Sequence, residues 1–432
     1  MKIIHHERKR LASHFSIERL FAEIRRHMPA DCEVTLCPAP EASAGILPRY
    51  RNVRYAARQA ADVHHIVGDS HYLAFGLPPK KTVLTIHDCG ALNRLTGLKR
   101  ALLKYFWFTG PMQRAAVVTT ISQASKDELR KWVGPLADKV VVVPDCVFEE
   151  FAYDPKPFNE ECPAILQVGT KWNKNVERVM EAVAGTGCRL EIVGNLSEKQ
   201  KASHGDFSHG WKKIDADRIR SAAPTGLRGE CSCPGTPGAR NASSDKQATE
   251  QGGHSRAKRD RQLEELSEAI KLEKINRDIF YAEDLGAKSC SDRQSNSEPE
   301  PSGVRELGRL TDEELVQAYR RCDMVVFASL YEGFGLPILE AQAMGRPVIT
   351  SNFGAMHEAA GDGALFVDPY SVEAIREAVL RIKREPALRE DLIAKGRENA
   401  ERFRAEAVAA RYAELYRNLA TADRRETDSS KS

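Results

Sequence analysis

The chain has 432 residues, 42% of them hydrophobic and 29% charged, with a formal net charge of +3. That length supports two domains with full cores, and the balance is that of a globular protein. So small a net charge gives no footing for nucleic acid, and no apolar run approaches the roughly 18 residues of a membrane span. The opening MKIIHHERKR has no apolar core of the secretory kind, and ten cysteines fall without a regular framework. The expectation is a cytoplasmic protein with reduced thiols.

In chain order, residues 1 to about 155 alternate helix and strand. Ile17 to Met28 has helical periodicity, and Cys32 to Leu36 reads as a short strand. Val63 to Val67, Thr82 to Ile86, Val117 to Ile121 and Val140 to Val143 are further apolar strands, with a helix through Lys126 to Trp132 between the last two. Such alternation predicts parallel βαβ units in a doubly wound domain, whose ligands sit beyond the carboxyl ends of the strands. By that rule Asp69, His71, His87, Asp88 and Ser122 face one crevice. LTGLKRALLKYFWFTGP, residues 95 to 111, mixes Leu98, Leu102, Leu103, Phe106 and Trp107 with Lys99, Arg100 and Lys104. It reads either as the core-facing helix of a βαβ unit or as a basic amphipathic helix on an anionic bilayer. HHERKR adds cations to that second reading, or is a solvated first loop.

A linker with three prolines, Phe148 to Pro163, precedes a second series: ILQVGT, the loop KWNK, a helix from Asn175 carrying Val176, Val179, Met180 and Val183 on one face, and LEIVG. Residues 203 to 302 then turn rich in Gly, Pro, Ser and charge, apart from a helix-like piece at about Gln262 to Phe280. We read them as an insertion, mostly disordered. Cys231, Cys233 and His254 lie there at no common zinc spacing, and no metal site is expected. The pattern resumes with TDEELVQAYRRC, which Thr311 caps with Glu314 three residues on.

Met324 to Ala328 then forms a short apolar strand, followed by a loop, Ser329 to Leu336, carrying Glu332, Gly333 and Gly335. A helix follows with Pro337 at its start and Gly345 past its end. Strand, glycine loop and helix N-terminus present free backbone N–H groups to an anion. Glu332 and Glu340 bracket that place, and acids beside a phosphate suit sugar or ribose hydroxyls.

YEGFGLPILEAQAMGRPVITSNFGAMHE resembles the E-x7-E signature of retaining family 4 glycosyltransferases of the GT-B fold. The resemblance implies an α/β architecture of two Rossmann-like, doubly wound parallel-sheet domains facing a cleft. These would be an acceptor-side domain, 1–155, and a nucleotide-sugar domain, 160–400, interrupted by the 203–302 insertion. Residues 401–432 would be a helix returning to the first domain, Ala405 to Leu419 with Tyr412 and Tyr416, and a frayed polar tail. GTKWNKNVERVMEA is similar to the family's diphosphate-binding segment, which assigns Gly169, Thr170, Lys171 and Lys174 to the donor. Lys171 stands where many members have arginine, whose bidentate fork lysine lacks. By the same resemblance Gly333, Phe334, Gly335 and Leu336 meet the donor, Glu340 its ribose, and Glu332 hydroxyls of its sugar. His87 would lie near the transferred sugar, making Glu332, His87 and Lys174 the catalytic set. Asp69, His71, Asp88 and Glu358 would serve the acceptor or sugar side.

The implied activity is metal-independent transfer of a hexose, with retention, from a nucleotide-diphosphate sugar to a sugar or lipid-linked glycan. It needs no cofactor, allows peripheral contact with the inner membrane face, and belongs to polysaccharide biosynthesis. KIIHHERKRLASHFS departs from the family in lacking the glycine pair after the first strand, so acceptor residues do not carry over. A phosphorylase or sugar-nucleotide epimerase, or a scaffold whose insertion has broken the cleft, are the competing readings.

Overall fold

The computed structural model describes residues 1–9, 16–205 and 303–429. The expected insertion beyond 205, with Cys231, Cys233, His254 and the helix-like piece, lies outside them. Two six-stranded sheets, parallel throughout, make the fold. The first holds β1 (Lys2–Glu7), β2 (Glu33–Pro38), β3 (Val63–Ile66), β4 (Thr82–Ile86), β5 (Val117–Thr120) and β6 (Val140–Val142), in the order β2-β1-β3-β4-β5-β6. Its helices are α1 (Ser16–Arg26), α2 (Ile46–Ala56), α3 (Gly90–Arg94), α4 (Gly97–Leu103), α5 (Gly110–Arg114) and α6 (Gln123–Val133). A π-helical turn, Lys104–Thr109, joins α4 to α5.

The second sheet holds β7 (Ala164–Val168), β8 (Arg189–Val193), β9 (Val304–Gly308), β10 (Met324–Phe327), β11 (Val348–Ser351) and β12 (Leu365–Val367), in the order β12-β11-β10-β7-β8-β9. Its helices are α7 (Val176–Val183), α8 (Glu198–Gly205), α9 (Asp312–Arg321), α10 (Leu336–Ala343), α11 (Gly354–Ala360), α12 (Val372–Arg384) and α13 (Pro386–Glu401). Thr311 starts α9 with a full capping box, its hydroxyl accepting from Glu314 N–H while the Glu314 carboxylate accepts from Thr311 N–H. Both faces of each sheet are covered, which is why the strands read as continuous apolar runs rather than alternating ones.

The last helix, α14 (Ala405–Ser429), packs on the first sheet. Val408, Ala409, Tyr412, Ala413 and Tyr416 share a core with Ile3, Phe21, Val63 and Val83. Here two expectations are corrected. The start of HHERKR is no solvated loop: His5, His6 and Glu7 are buried in β1. The Tyr416 hydroxyl lies 3.0 Å from His5 Nε2 and 2.6 Å from His65 Nδ1, and His65 Nε2 lies 2.7 Å from Thr85 Oγ1. On the other face His6 Nε2 meets His64 Nδ1 at 3.0 Å. Buried imidazoles are tolerated because each finds a partner. The polar tail is helical as far as Ser429; ADRRETD is made of residues a helix accepts, with neither Gly nor Pro to stop it.

The linker is not loose either. Phe148 and Phe151 are buried in the second domain's core, and Val147 N–H donates to Phe403 carbonyl at 2.9 Å. The chain therefore leaves the first domain and returns to it through two segments that run side by side, Val147 pairing in parallel with Arg404.

Candidate active site

Strand order in the second sheet reverses between β7 and β10, so a crevice opens there beyond the strand ends. The loops that line it follow those two strands. Lys174 Nζ, from the first, lies 2.7 Å from Glu332 Oε1, from the second, and 4.4 Å from the Phe327 ring centroid. Asn173 Nδ2 donates to the Tyr331 carbonyl (2.8 Å) and to Glu332 Oε1 (3.2 Å), while Leu330 N–H donates to the Asn173 carbonyl. Asn175, at φ 58°, is buried and donates to the carbonyls of Ala328 and Pro369. These two asparagines staple the lysine loop to the glutamate loop. The sequence signal for Asn175 is its type, since asparagine tolerates the left-handed region.

The glycines have separable roles. Gly169, at φ +92°, would place a Cβ 3.0 Å from Lys174 Cε, so its bareness lets the lysine stem lie over the strand end. Gly335 sits at φ +119° as the residue before α10. Gly333 needs no such backbone; a Cβ there would meet the His87 carbonyl and Ile121 at an ordinary 3.5 Å. Gly335→Ala is therefore expected to cost about 1–2 kcal/mol in stability, and Gly333→Ala well under half of that. Urea denaturation of the two variants checks the order; equal losses would contradict it.

Around this pair, Thr170 Oγ1 donates to the Asn195 carbonyl, and Lys171 is exposed. Phe334 turns its ring into the core, edge-on to Phe403, so only its backbone faces the loop. Leu336 packs partly into the same core. Glu340 is buried and accepts from the Tyr319 hydroxyl at 2.7 Å. Burial pushes its carboxyl up to about 7, against the lowering effect of Tyr319. Tyr319, on α9, had no sequence signal beyond its helical spacing.

In the first domain, His87 Nε2 lies 3.0 Å from the Val67 carbonyl, and Asp88 Oδ1 accepts from Gly90 N–H at 2.8 Å, opening α3. The His87 backbone carbonyl and the Asp88 Cβ lie against Gly333 of the other domain, while the His87 ring turns to Val67. Asp69 is held by Arg8, which also grips Glu18 at 2.6 Å; Arg8 was not singled out in the sequence. His71 is buried with Nδ1 2.6 Å from the Trp107 carbonyl, and burial holds its pKa below the usual value. Ser122 and Glu358 join the two domains. Ser122 Oγ donates to the Gly333 carbonyl at 2.7 Å, with Ser125 Oγ at 3.0 Å. Glu358 Oε2 accepts from Gln123 N–H at 2.7 Å, capping α6 from the other side of the interface. The structure thus gathers Lys174, Glu332 and Glu340 on one wall and His87 and Asp88 on the other. It sets His71 and Asp69 in contacts within their own domain.

Two parallel sheets facing one another over such a crevice define a GT-B architecture. The profile described as Glycosyltransferase Family 4 matches residues 14–150, and that described as Glycosyl transferases group 1 matches residues 257–399. The chain belongs to the family 4 glycosyltransferases of the GT-B fold. It is 41% identical over 100 residues to an O-antigen chain mannosyltransferase B of Escherichia coli, covering 23% of this chain and 26% of that protein. Over 120 residues it is 35% identical to a D-inositol 3-phosphate glycosyltransferase of Corynebacterium urealyticum, covering 27% of this chain and 28% of that protein. The matched segments thus span about a quarter of each relative's length. Among solved structures, a sucrose-phosphate synthase from Thermosynechococcus elongatus superposes with a TM-score of 0.58 at 18% identity, over 98% of this chain and 99% of that one. Anabaena HepE in complex with UDP and glucose gives 0.58 at 14% identity, over 97% and 100%. No helix among the described residues is long and apolar enough to cross a membrane.

Proposed function

We propose that this chain transfers a hexose, with retention, from a nucleotide-diphosphate sugar to a sugar or lipid-linked glycan. The contact between Lys174 and Glu332 at the switch point of the second sheet carries the reading. A leaving diphosphate gains negative charge as the glycosidic bond breaks, and catalysis favours positive charge fixed at that spot beforehand. Lys174, with Lys171 and the amides of Gly333 to Leu336 at the start of α10, supplies it without recruiting a metal. Glu332, tied down by Lys174 and Asn173, is an acceptor for hydroxyls of the donor sugar. Glu340, with one oxygen held by Tyr319, has the other for the ribose. His87 and Asp88 approach from the opposite wall, where the acceptor enters.

Peripheral membrane contact draws support from the surface of the first domain. Leu98, Tyr105 and Phe106 remain 60%, 51% and 41% exposed beside Lys99 and Lys104. Although Leu103 and Phe108 of the same segment are core, this outer face is apolar and basic together. Ile46, Leu47, Tyr50 and Tyr55 on α2 stand exposed among Arg51 and Arg54.

A thermal-shift panel of UDP, GDP, ADP and their sugars tests the reading. A ligand at a hundred times its Kd stabilises by about 2.7 kcal/mol, so one nucleotide should raise the midpoint by several degrees. NMR of the product then reads the anomeric configuration. No shift with any nucleotide, or an inverted product, would contradict the proposal.

A further inference from the structure

We propose that Glu23, His27, Glu149 and Glu406 form a divalent-cation site, suited to zinc, at the seam where the chain leaves and re-enters the first domain. Glu23 lies in the last turn of α1, and His27 is the first residue past that helix, four positions on. Glu149 lies just past the exit segment and Glu406 at the start of α14. None of the four belongs to the crevice described above.

The hydrogen-bond chemistry calls for a cation here. His27 Nδ1 lies 3.0 Å from the Glu23 carbonyl, an acceptor only, so Nδ1 carries the hydrogen. Nε2 is then the nitrogen with the lone pair. It lies 2.8 Å from Glu149 Oε1 and 3.6 Å from Glu406 Oε1, and carboxylates have nothing to donate. A positive centre must join these three groups, either a proton on Nε2 or a metal ion.

Glu23 favours the metal. Its side chain is buried, Oε2 is paired with Arg26 at 2.6 Å, and Oε1 has no hydrogen-bond partner while lying 3.7 Å from His27 Nδ1. A proton on Nε2 would leave that oxygen unsatisfied, whereas a metal can take it as a ligand. Ligand atoms of Glu23, His27 and Glu149 already lie within 4.8 Å of one another. Tetrahedral zinc with bonds of about 2.0–2.1 Å spaces its ligands by roughly 3.3 Å, which the exposed carboxylate arms can reach by small shifts, Glu149 outward from 2.8 Å and Glu406 inward from 3.6 Å. A metal-bound histidine also characteristically donates its other N–H to a backbone carbonyl, as His27 does. Nitrogen with carboxylate oxygen is a donor set that zinc accepts. The bound ion would pin α1, the exit segment and the first turn of α14 together.

The test titrates the chelator-treated full chain with Zn²⁺, and separately with Co²⁺, at about pH 7.5. Calorimetry and thermal shift should show one ion bound and a raised midpoint. Glu149→Gln and Glu406→Gln lie on the surface and keep the fold, so each should weaken binding by about 10-fold or more and abolish the midpoint rise. Co²⁺ should show visible bands without the thiolate charge transfer that cysteine ligands bring. Binding that survives both variants within twofold, or that shows thiolate bands, would place the ion elsewhere and overturn the proposal. No binding at all would overturn it too, leaving a proton on His27.

Discussion

Lys174→Ala is expected to lower kcat/KM for donor turnover by about 10²–10³-fold, with kcat falling alongside it. That corresponds to about 3–4 kcal/mol of transition-state stabilisation, the usual consequence of removing one fixed charge-stabilising group. The geometry explains why no neighbour can stand in. Lys174 is carried over a bare Gly169, placed beside Phe327 and latched to Glu332, whereas Lys171 is exposed. Because the two charges neutralise one another, the single variant also leaves Glu332 held by Asn173 alone. Lys174→Ala combined with Glu332→Gln should therefore cost less than the two losses added. Release of nucleoside diphosphate under saturating and limiting donor separates kcat from KM. Activity within threefold of the parent, or a loss confined to KM, would remove Lys174 from the chemical step.

The second large effect is acid lability. His5, His6, His64 and His65 are all buried on β1 and β3, and desolvation is the leading cause that lowers each pKa. His6 falls to about 3, His64 to about 4, and the other two well below their usual value. These groups are neutral when folded and take up protons near pH 6.5 when unfolded. Their contribution is therefore intact above the unfolded pKa and is lost as pH falls below it. From about pH 7.5 to about 5.5, four such histidines withdraw roughly 5 kcal/mol in all.

Two buried carboxyls act in the opposite sense. Burial raises Glu340 to about 7 and Asp145 to about 6, so their charged forms are a burden at neutral pH that protonation relieves, returning roughly 2–3 kcal/mol. Urea denaturation should show a net loss of about 3 kcal/mol over this interval. His65→Gln should lessen that net loss by about 1.3 kcal/mol, a little under half of it. An unchanged midpoint down to pH about 5.5 would mean that the imidazoles are protonated in the folded protein.

The strands were legible wherever a run of β-branched and apolar residues was bounded by polar ends, as at 82–86, 117–120 and 324–327. The stretch from β10 into α10 was legible because a glycine loop between strand and helix has a backbone reason to exist. Helix α2 was missed because its apolar residues do not mark a face. Its buried positions are Asn52 and Ala56, while Ile46, Leu47, Tyr50 and Tyr55 look outward. The burial of His5 and His6 was illegible for a different reason. Their partners lie 58 and 411 positions away, at His64 and Tyr416, and no local pattern encodes such pairing. Arg8, Asn173 and Tyr319 were overlooked for the same cause, since each acquires its role only through the loop or helix it meets in space. Glu358 illustrates the converse. The resemblance set it on the acceptor or sugar side, and in the structure one of its carboxylate oxygens also caps a helix of the other domain.

The placement of α14 bears on how the protein is made. The first domain's sheet is complete once Val142 has been synthesised, but the tyrosines that cover its buried histidines follow about 270 residues later. At about 5–20 residues per second, that is roughly 15–55 s of synthesis during which the nascent domain holds an uncovered apolar face and hydrated imidazoles. The first domain, about the leading third of this chain, therefore cannot complete its core ahead of the rest, and its final closure waits for α14 to clear the ribosome.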